Sequence, residues 1–277
     1  MNVFYNNMKT AMLMAGLMAL FVLVGSIWGT QGMITALVLG GMMNFVAYFA
    51  SDKIAIAAMQ GREVDATTAP ELYAMVDRLR RRAGLPMPRV YICPHEAPNA
   101  FATGRSPSRA AVAVTRGCLE LLTPSELEGV IAHELAHVKH RDTLISCIAA
   151  TIAGVLAFLA QWGMFLGIGR DRNSNPLLAF LTVILAAVGA AVIKAMISRS
   201  REFAADADGA RIAGTPMGLV SALRKLDAYA RRIPLVQPNP AQNNLFIVEP
   251  FSGAQTLMDL FATHPPTEKR IAALMQQ

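Results

Sequence analysis

The sequence predicts a mainly α-helical protein with a small β-sheet, in which four transmembrane helices, paired as two hairpins, divide a water-soluble domain. Three observations carry this. Hydrophobic residues make up 54% of the 277 residues and charged ones only 16%, and the mean hydropathy of +0.39 is too high for an ordinary soluble domain. The apolar residues gather in four long stretches. Between them lie amphipathic helical patterns and three short strand-like runs.

Residues 1–50 form the first expected hairpin. Lys9 precedes an apolar run from Ala11 to Trp28; Gly29-Thr30-Gln31-Gly32 reads as a turn, and a second run extends from Met33 to Phe49. Each run is about 17–18 residues, roughly 27 Å as helix, just enough to cross the hydrocarbon core. The start resembles a signal peptide, but no small-residue cleavage site opens into a polar chain.

Residues 51–142 are the first soluble part. Thr68 to Arg82 is expected as an amphipathic helix, with Thr68 and Glu71 as a capping box and Leu72, Met75, Val76 and Leu79 on one face. Gly84 ends it, and Arg78, Arg80, Arg81 and Arg82 form its solvated side. Arg89 to Cys93, Ala100 to Thr103 and Ala110 to Thr115 read as strands between Pro, Gly and Ser turns. Residues 143–197 hold the second hairpin, with apolar runs Leu144 to Gly169 and Leu177 to Ile197 joined by a polar loop; Lys194 is expected to snorkel. Residues 198–277, the second soluble part, are polar and helix-rich, with a Pro/Asn-rich loop from Pro234 to Asn244.

Two hairpins leave both soluble parts on one side of the membrane. That side carries Lys53, Lys139, Arg141, Arg199 and Arg201 near membrane ends, against Arg170 and Arg172 opposite. The positive-inside rule then places the soluble parts in the cytoplasm. The net charge of +6 clusters beside apolar segments, which points to lipid headgroups; no basic stripe interleaved with aromatics suggests nucleic acid. Cys93, Cys118 and Cys147 are odd in number and lack metal-ligand spacing. They read as packed core thiols in a reducing compartment.

The chemistry concentrates in His133-Glu134-Leu135-Ala136-His137, an H-E-x-x-H pattern. Thr123, Pro124 and Glu126 start a helix there, and Leu127, Ile131, Leu135 and Val138 form its apolar stripe. His133 and His137, at i and i+4, project together as two imidazoles must to bind one zinc ion. Glu134 stands beside them, placed to take a proton from an attacking water. A catalytic zinc needs a third protein ligand. His140 lies about 10.5 Å along the axis from His133 and reads as a solvated or helix C-terminal histidine. The metzincin extension fails, because His140 and Thr143 stand where it needs Gly and His. Glu202 and Asp206, one turn apart beyond the fourth apolar run, offer a ligand and a partner that orients a ligand histidine. On spacing alone, an acidic pair bridged to Arg199 or Arg201 explains them equally well.

H-E-L-A-H at 133–137 with E-F-A-A-D at 202–206 resembles the HtpX family of membrane-bound metallopeptidases, gluzincins related to the CAAX prenyl proteases. The likeness also covers Asn99 to Gly104, the approach helix from Thr123, and Thr263-His264-Pro265-Pro266 with Arg270. It implies a gluzincin-type protease domain with one zinc per chain. His133, His137 and Glu202 would be the ligands, Glu134 the general base and Asp206 the partner behind a ligand histidine. It further implies that Asn99, Ala100, Phe101 and Ala102 form an edge strand pairing with substrate backbone. His264 would donate to the oxyanion, with a helix-capping role as the competing reading, and Arg270 would line the same cleft.

The expected activity is therefore zinc-dependent hydrolysis of peptide bonds by an integral-membrane endopeptidase. The resemblance adds misfolded membrane proteins as substrates, a quality-control role under stress, and a bacterial inner-membrane location. An intramembrane protease is disfavoured by Glu126, Glu128, Lys139 and Arg141 around the motif. The alternative from another class is a catalytically inactive membrane adaptor that uses the soluble domain for docking.

Overall fold

The computed structural model describes residues 3–26, 29–144, 199–232 and 265–276. Long apolar runs free of proline become helix, because no residue in them lacks a backbone donor or clashes with the preceding turn. Accordingly α1 (Val3–Gly25) and α2 (Gly29–Ala58) pack against each other, and the Asn44 side-chain amide donates to the Met14 carbonyl at 3.0 Å. The turn expected over Gly29–Gly32 is instead the first turn of α2. Gly29, the first residue of α2, takes a left-handed φ of +72°, a conformation glycine adopts without steric cost. From Gly29 to Ala50, α2 is long and apolar enough to span a membrane, while the apolar part of α1, Thr10–Leu23, is shorter. Leu37, Val38, Met42, Phe45 and Phe49 are all about half exposed or more, a run of exposed apolar side chains along α2. Beyond Leu144, the third and fourth apolar runs, with Lys194 and Cys147, lie outside the described residues, as does the Pro234–Asn244 loop.

The C-terminal turns of α2 run past Phe49 because they have a surface to cover. Four strands, β1 (Arg62–Val64), β2 (Arg89–Cys93), β3 (Ala100–Thr103) and β4 (Ala111–Thr115), form a mixed sheet in the order β1-β2-β4-β3. Strand β1, too short to show alternation, was not expected. Residues alternate between the two faces. Tyr91, Cys93, Phe101, Ala111 and Ala113 pack with Ala55, Ile56 and Met59 of α2. Val90, Val112, Val114, Ala100 and Ala102 join the larger core with the remaining helices.

Those helices are α3 (Pro70–Ala83), α4 (Arg116–Leu121), α5 (Pro124–His140), α6 (Arg199–Ala213), α7 (Met217–Arg232) and α8 (Thr267–Leu274). Helix α3 buries Leu72, Met75, Val76 and Leu79 as its pattern predicts, and Gly84 ends it at φ +71° with its N–H on the Arg81 carbonyl. Its expected capping box does not form. The helix begins at Pro70 after Ala69, because Asp65 captures the backbone N–H and hydroxyl of Thr68 in a preceding turn. The arginines of α3 form its solvated side as expected, with Arg78, Arg81 and Arg82 exposed and Arg80 half-buried; Arg80 and Arg81 pair with Asp77, and Arg78 and Arg82 with Glu128 of α5. Helix α4, hidden behind the β4 pattern, is capped by Thr115, whose side chain accepts from the Cys118 N–H.

Helix α5 is the axis of the domain, buried on nearly all sides. It lies against β3, α3, α6 and α7. Gly129 lets α7 approach, since a Cβ there would strike the backbone of Gly218 and Leu219.

Candidate metal centre and active site

Helix α5 is anchored at its start. The Glu126 carboxylate accepts from the Thr123 N–H at 2.8 Å, from Ser221 Oγ at 2.6 Å and from Lys225 Nζ at 2.7 Å, the last two on α7. Burial alone would raise the Glu126 pKa; the Lys225, Ser221 and Thr123 donors overcome it and hold the group at about 2. Two turns on, His133 and His137 turn their Nε2 atoms toward each other at 3.2 Å.

Helix α6 crosses α5 closely enough to bring a carboxylate to the same point. At the crossing stands Gly209, where a Cβ would sit 2.9 Å from His133 Cα and 3.0 Å from its N. Glu202 then lies 3.8 Å from His133 Nε2 and 3.6 Å from His137 Nε2. Nitrogen and oxygen ligands at ~2.0–2.1 Å from a tetrahedral ion stand about 3.3 Å apart. The three donors therefore fit one small divalent cation, and among the described residues they form the group able to hold one. His140, although buried, is not part of it. Of the two expected readings, the solvated one is corrected and the helix C-terminal one holds: His140 is the last residue of α5, and its Nε2 meets Asp208 Oδ2 on α6.

Behind each histidine stands a carboxylate. Asp206 Oδ1 is 2.9 Å from His133 Nδ1, close, though not aligned as a hydrogen bond. Asp142 Oδ2 is 3.2 Å from His137 Nδ1. These contacts direct each Nε2 lone pair to the shared point. Asp142 was missed in the sequence because it lies outside the helix. Arg141 takes a left-handed φ of +58°, and the Asp142 N–H returns to the His137 carbonyl at 3.0 Å.

Arg270, expected to line the substrate cleft, lies instead on the inner side of the ligands. It is 1% exposed and donates Nε to Asp206 Oδ2 at 2.8 Å and Nη2 to Asp206 Oδ1 at 2.6 Å. Burial opposes the charge on Asp206, but the Arg270 bonds and His133 hold its pKa at about 2. Arg201, expected near the headgroups, is buried as well; burial lowers its pKa, only partly offset by the charges of Asp142 and Glu202. His264 lies outside the described residues. Cys93 and Cys118 are buried free thiols raised by burial to about 11 and 12, inert core groups as expected.

Glu134 faces the sheet. Its Oε2 accepts from the Ala102 N–H at 2.8 Å. Strand β3 is an edge of the sheet, as expected, and the Thr115 N–H donates to the Asn99 carbonyl. With that register, Phe101 points its backbone groups to β4, and Ala100 and Ala102 point theirs away from it. The edge strand and the glutamate thus meet at Ala102.

The chain is similar to known proteins in both sequence and fold. The model of Peptidase family M48 matches residues 66–277. The chain belongs to peptidase family M48. "Protease HtpX homolog" of Burkholderia ambifaria (strain MC40-6) is 50% identical over 278 residues, covering 98% of this chain and 97% of the relative. The protein of the same name from Methylibium petroleiphilum is 51% identical, with the same coverage of 98% and 97%. The crystal structure of S. mikatae Ste24p matches with a TM-score of 0.50 at 17% identity, covering 98% of this chain and 66% of that one; this likeness is one of fold. As an M48 member the chain is a metallopeptidase, and the mostly helical domain with a small mixed sheet is its M48 protease fold.

Two expected results follow from the M48 site. Burial alone would lower the pKa of His137, but its bond to Asp142 and the charges of Glu202 and Glu134 raise it to about 9. A histidine raised above its ordinary value stabilises the metal-free fold fully below about pH 6.5, and that contribution fades as pH rises through 9. Metal uptake must displace this proton. Titration calorimetry in buffers of different ionisation enthalpy should show about one proton released per metal at pH 7.5. Affinity should rise close to tenfold per pH unit until about pH 9. Separately, Gly209→Ala should force α6 away from the His133 backbone. Chemical unfolding should show a loss of about 1–3 kcal/mol, with weakened metal binding because Glu202 moves with α6.

Proposed function

We propose that this M48 peptidase is an integral-membrane, zinc-dependent endopeptidase that degrades misfolded membrane proteins at the cytoplasmic face of a bacterial inner membrane. The carrying observation is the convergence of His133, His137 and Glu202 on one point, with Glu134 held beside it against an edge strand. Two imidazoles and one carboxylate are a donor set suited to catalytic zinc. When bound, zinc supplies a Lewis acid that polarises the scissile carbonyl and acidifies water.

The chain's own groups supply the rest. An extended substrate adds to β3 through the outward backbone groups of Ala100 and the Ala102 carbonyl, flanked by Asn99 and Phe101. Main-chain pairing of this kind asks little of the substrate's side chains, which suits a protease of misfolded proteins. The Ala102 N–H is engaged by Glu134 Oε2. Proton transfer is therefore assigned to Oε1, which takes the proton of the attacking water and returns it to the leaving amine. Asp142 keeps the Nδ1 proton of His137 in place, Asp206 stands against His133 Nδ1 as its charge partner, and Arg270 positions Asp206. His264 remains assigned to the developing oxyanion. The membrane reading is supported by the exposed apolar surface of α1 and α2 and by the lysines and arginines near their soluble ends.

The test is cleavage of casein by the full chain in mild detergent, stripped of metal and then reloaded. One zinc per chain should restore cleavage, and the hairpins should keep the chain in membranes washed with alkaline carbonate. A chain that binds no zinc and cleaves nothing would instead favour the adaptor.

A further inference from the structure

Apart from the metal ligands, a recess of about 480 Å³ opens where α2 meets the soluble part. Four cationic side chains, Lys53, Arg89, Arg105 and Arg109, line it together with a single carboxylate, Asp52, and the ring of Phe49. Arg89 and Asp52 satisfy each other at 2.7 Å. Lys53, Arg105 and Arg109 have no ion-pair partner among the described residues. An open recess edged by three cations without carboxylate partners, Lys53 and Arg109 exposed and Arg105 half-buried, favours an anion, and arginine's planar fork suits phosphate oxygens.

Depth says which anion. The apolar span of α2 ends at Ala50, and at 1.5 Å per residue Lys53 stands about 4.5 Å farther along the axis. The polar headgroup layer is roughly 5–7 Å thick on each side of the hydrocarbon core. The Arg105 guanidinium stacks on Phe49 at 4.6 Å from the ring centroid, which joins the recess to the lipid-facing side of α2. Below it, Phe45 and Val46 are about half exposed or more, an apolar track continuous with the recess. Arg105 also follows β3 closely in the chain, so an occupant would tie the edge strand to the bilayer surface.

We propose that this recess binds the phosphate of an anionic phospholipid whose acyl chains lie along α2. The proposal rests on the reading of α2 as a membrane span. The test uses the zinc-loaded full chain in non-ionic detergent, with native mass spectrometry of bound lipid. Phosphatidylglycerol should bind at least tenfold more tightly than phosphatidylcholine of the same chain length. Arg105→Gln with Arg109→Gln should remove about tenfold of that preference. Lys53→Gln alone should remove about threefold, and both variants should keep wild-type zinc content and casein cleavage in detergent. Equal binding of the two lipids, or a preference the variants do not change, would overturn the lipid site. Inorganic phosphate binding as tightly as phosphatidylglycerol would make it a free-anion site. Altered cleavage of acidic against neutral peptides, with lipid binding unchanged, would make it a substrate subsite. Either result overturns the proposal. Release of the wild-type chain by carbonate would remove the membrane reading as well, whereas retention with equal lipid binding rejects this site alone.

Discussion

Glu134→Gln is expected to leave the fold and the bound metal in place while lowering kcat for casein by about 10²–10⁴-fold. The side chain is 7% exposed and is not one of the three groups that could hold the ion. Gln keeps the length and shape of Glu. Its amide oxygen can still accept from the Ala102 N–H, so the contact between α5 and β3 survives. What it loses is basicity, and with it the ability to take a proton from water and return it to the amine. Because the loss falls on the chemical step, KM should change little. The measurement is a casein time course beside metal analysis of the same preparation. Full activity with metal retained would remove Glu134 as the base, and loss of metal would make it a structural residue of the centre.

Arg270→Met is expected to destabilise the protein by about 3–5 kcal/mol and to weaken metal binding by about 10–100-fold. Arg270 and Asp206 are each 1% exposed and joined by two short bonds in fork geometry. Removing the guanidinium strands a buried carboxylate, and Glu202 loses a cation 3.8 Å away. A second variant separates the two effects. Replacing Asp206 by Leu in the Arg270→Met background removes the stranded charge, so stability should largely return, since apolar replacements of buried pairs are often neutral. Metal affinity should not return, because His133 Nδ1 then lacks its partner. Unfolding by denaturant and metal titration on both variants check this. Recovery of both properties together would show that Asp206 has no part in holding the histidine.

The histidine pair was legible because H-E-x-x-H sits within one helix, and 3.6 residues per turn place positions 133 and 137 on one face wherever that helix lies. The apolar stripes of α3 and α5 were legible for the same reason. Glu202 was legible only through the need for a third ligand and a family resemblance. Its spacing alone equally suited a salt bridge to a neighbouring arginine. Local competition hid the true start of α3, where Asp65 takes the Thr68 groups that would have capped it.

The sequence by itself determined the composition of the chain's apolar and polar stretches, the helix that carries H-E-x-x-H and two of the three groups that could hold a metal. These depend on solvent preference and helical periodicity, which act between near neighbours. Tertiary structure decided the rest. Glu202 reaches the centre because Gly209 lets α6 pass against the His133 backbone. Asp142 braces His137 because Arg141 turns left-handed. Arg270 serves Asp206 from the inner side because α8 packs it there, and β3 is an edge because of the strand order. Each depends on contacts between residues far apart in the chain or on one backbone torsion, and neither leaves a periodic mark in the sequence.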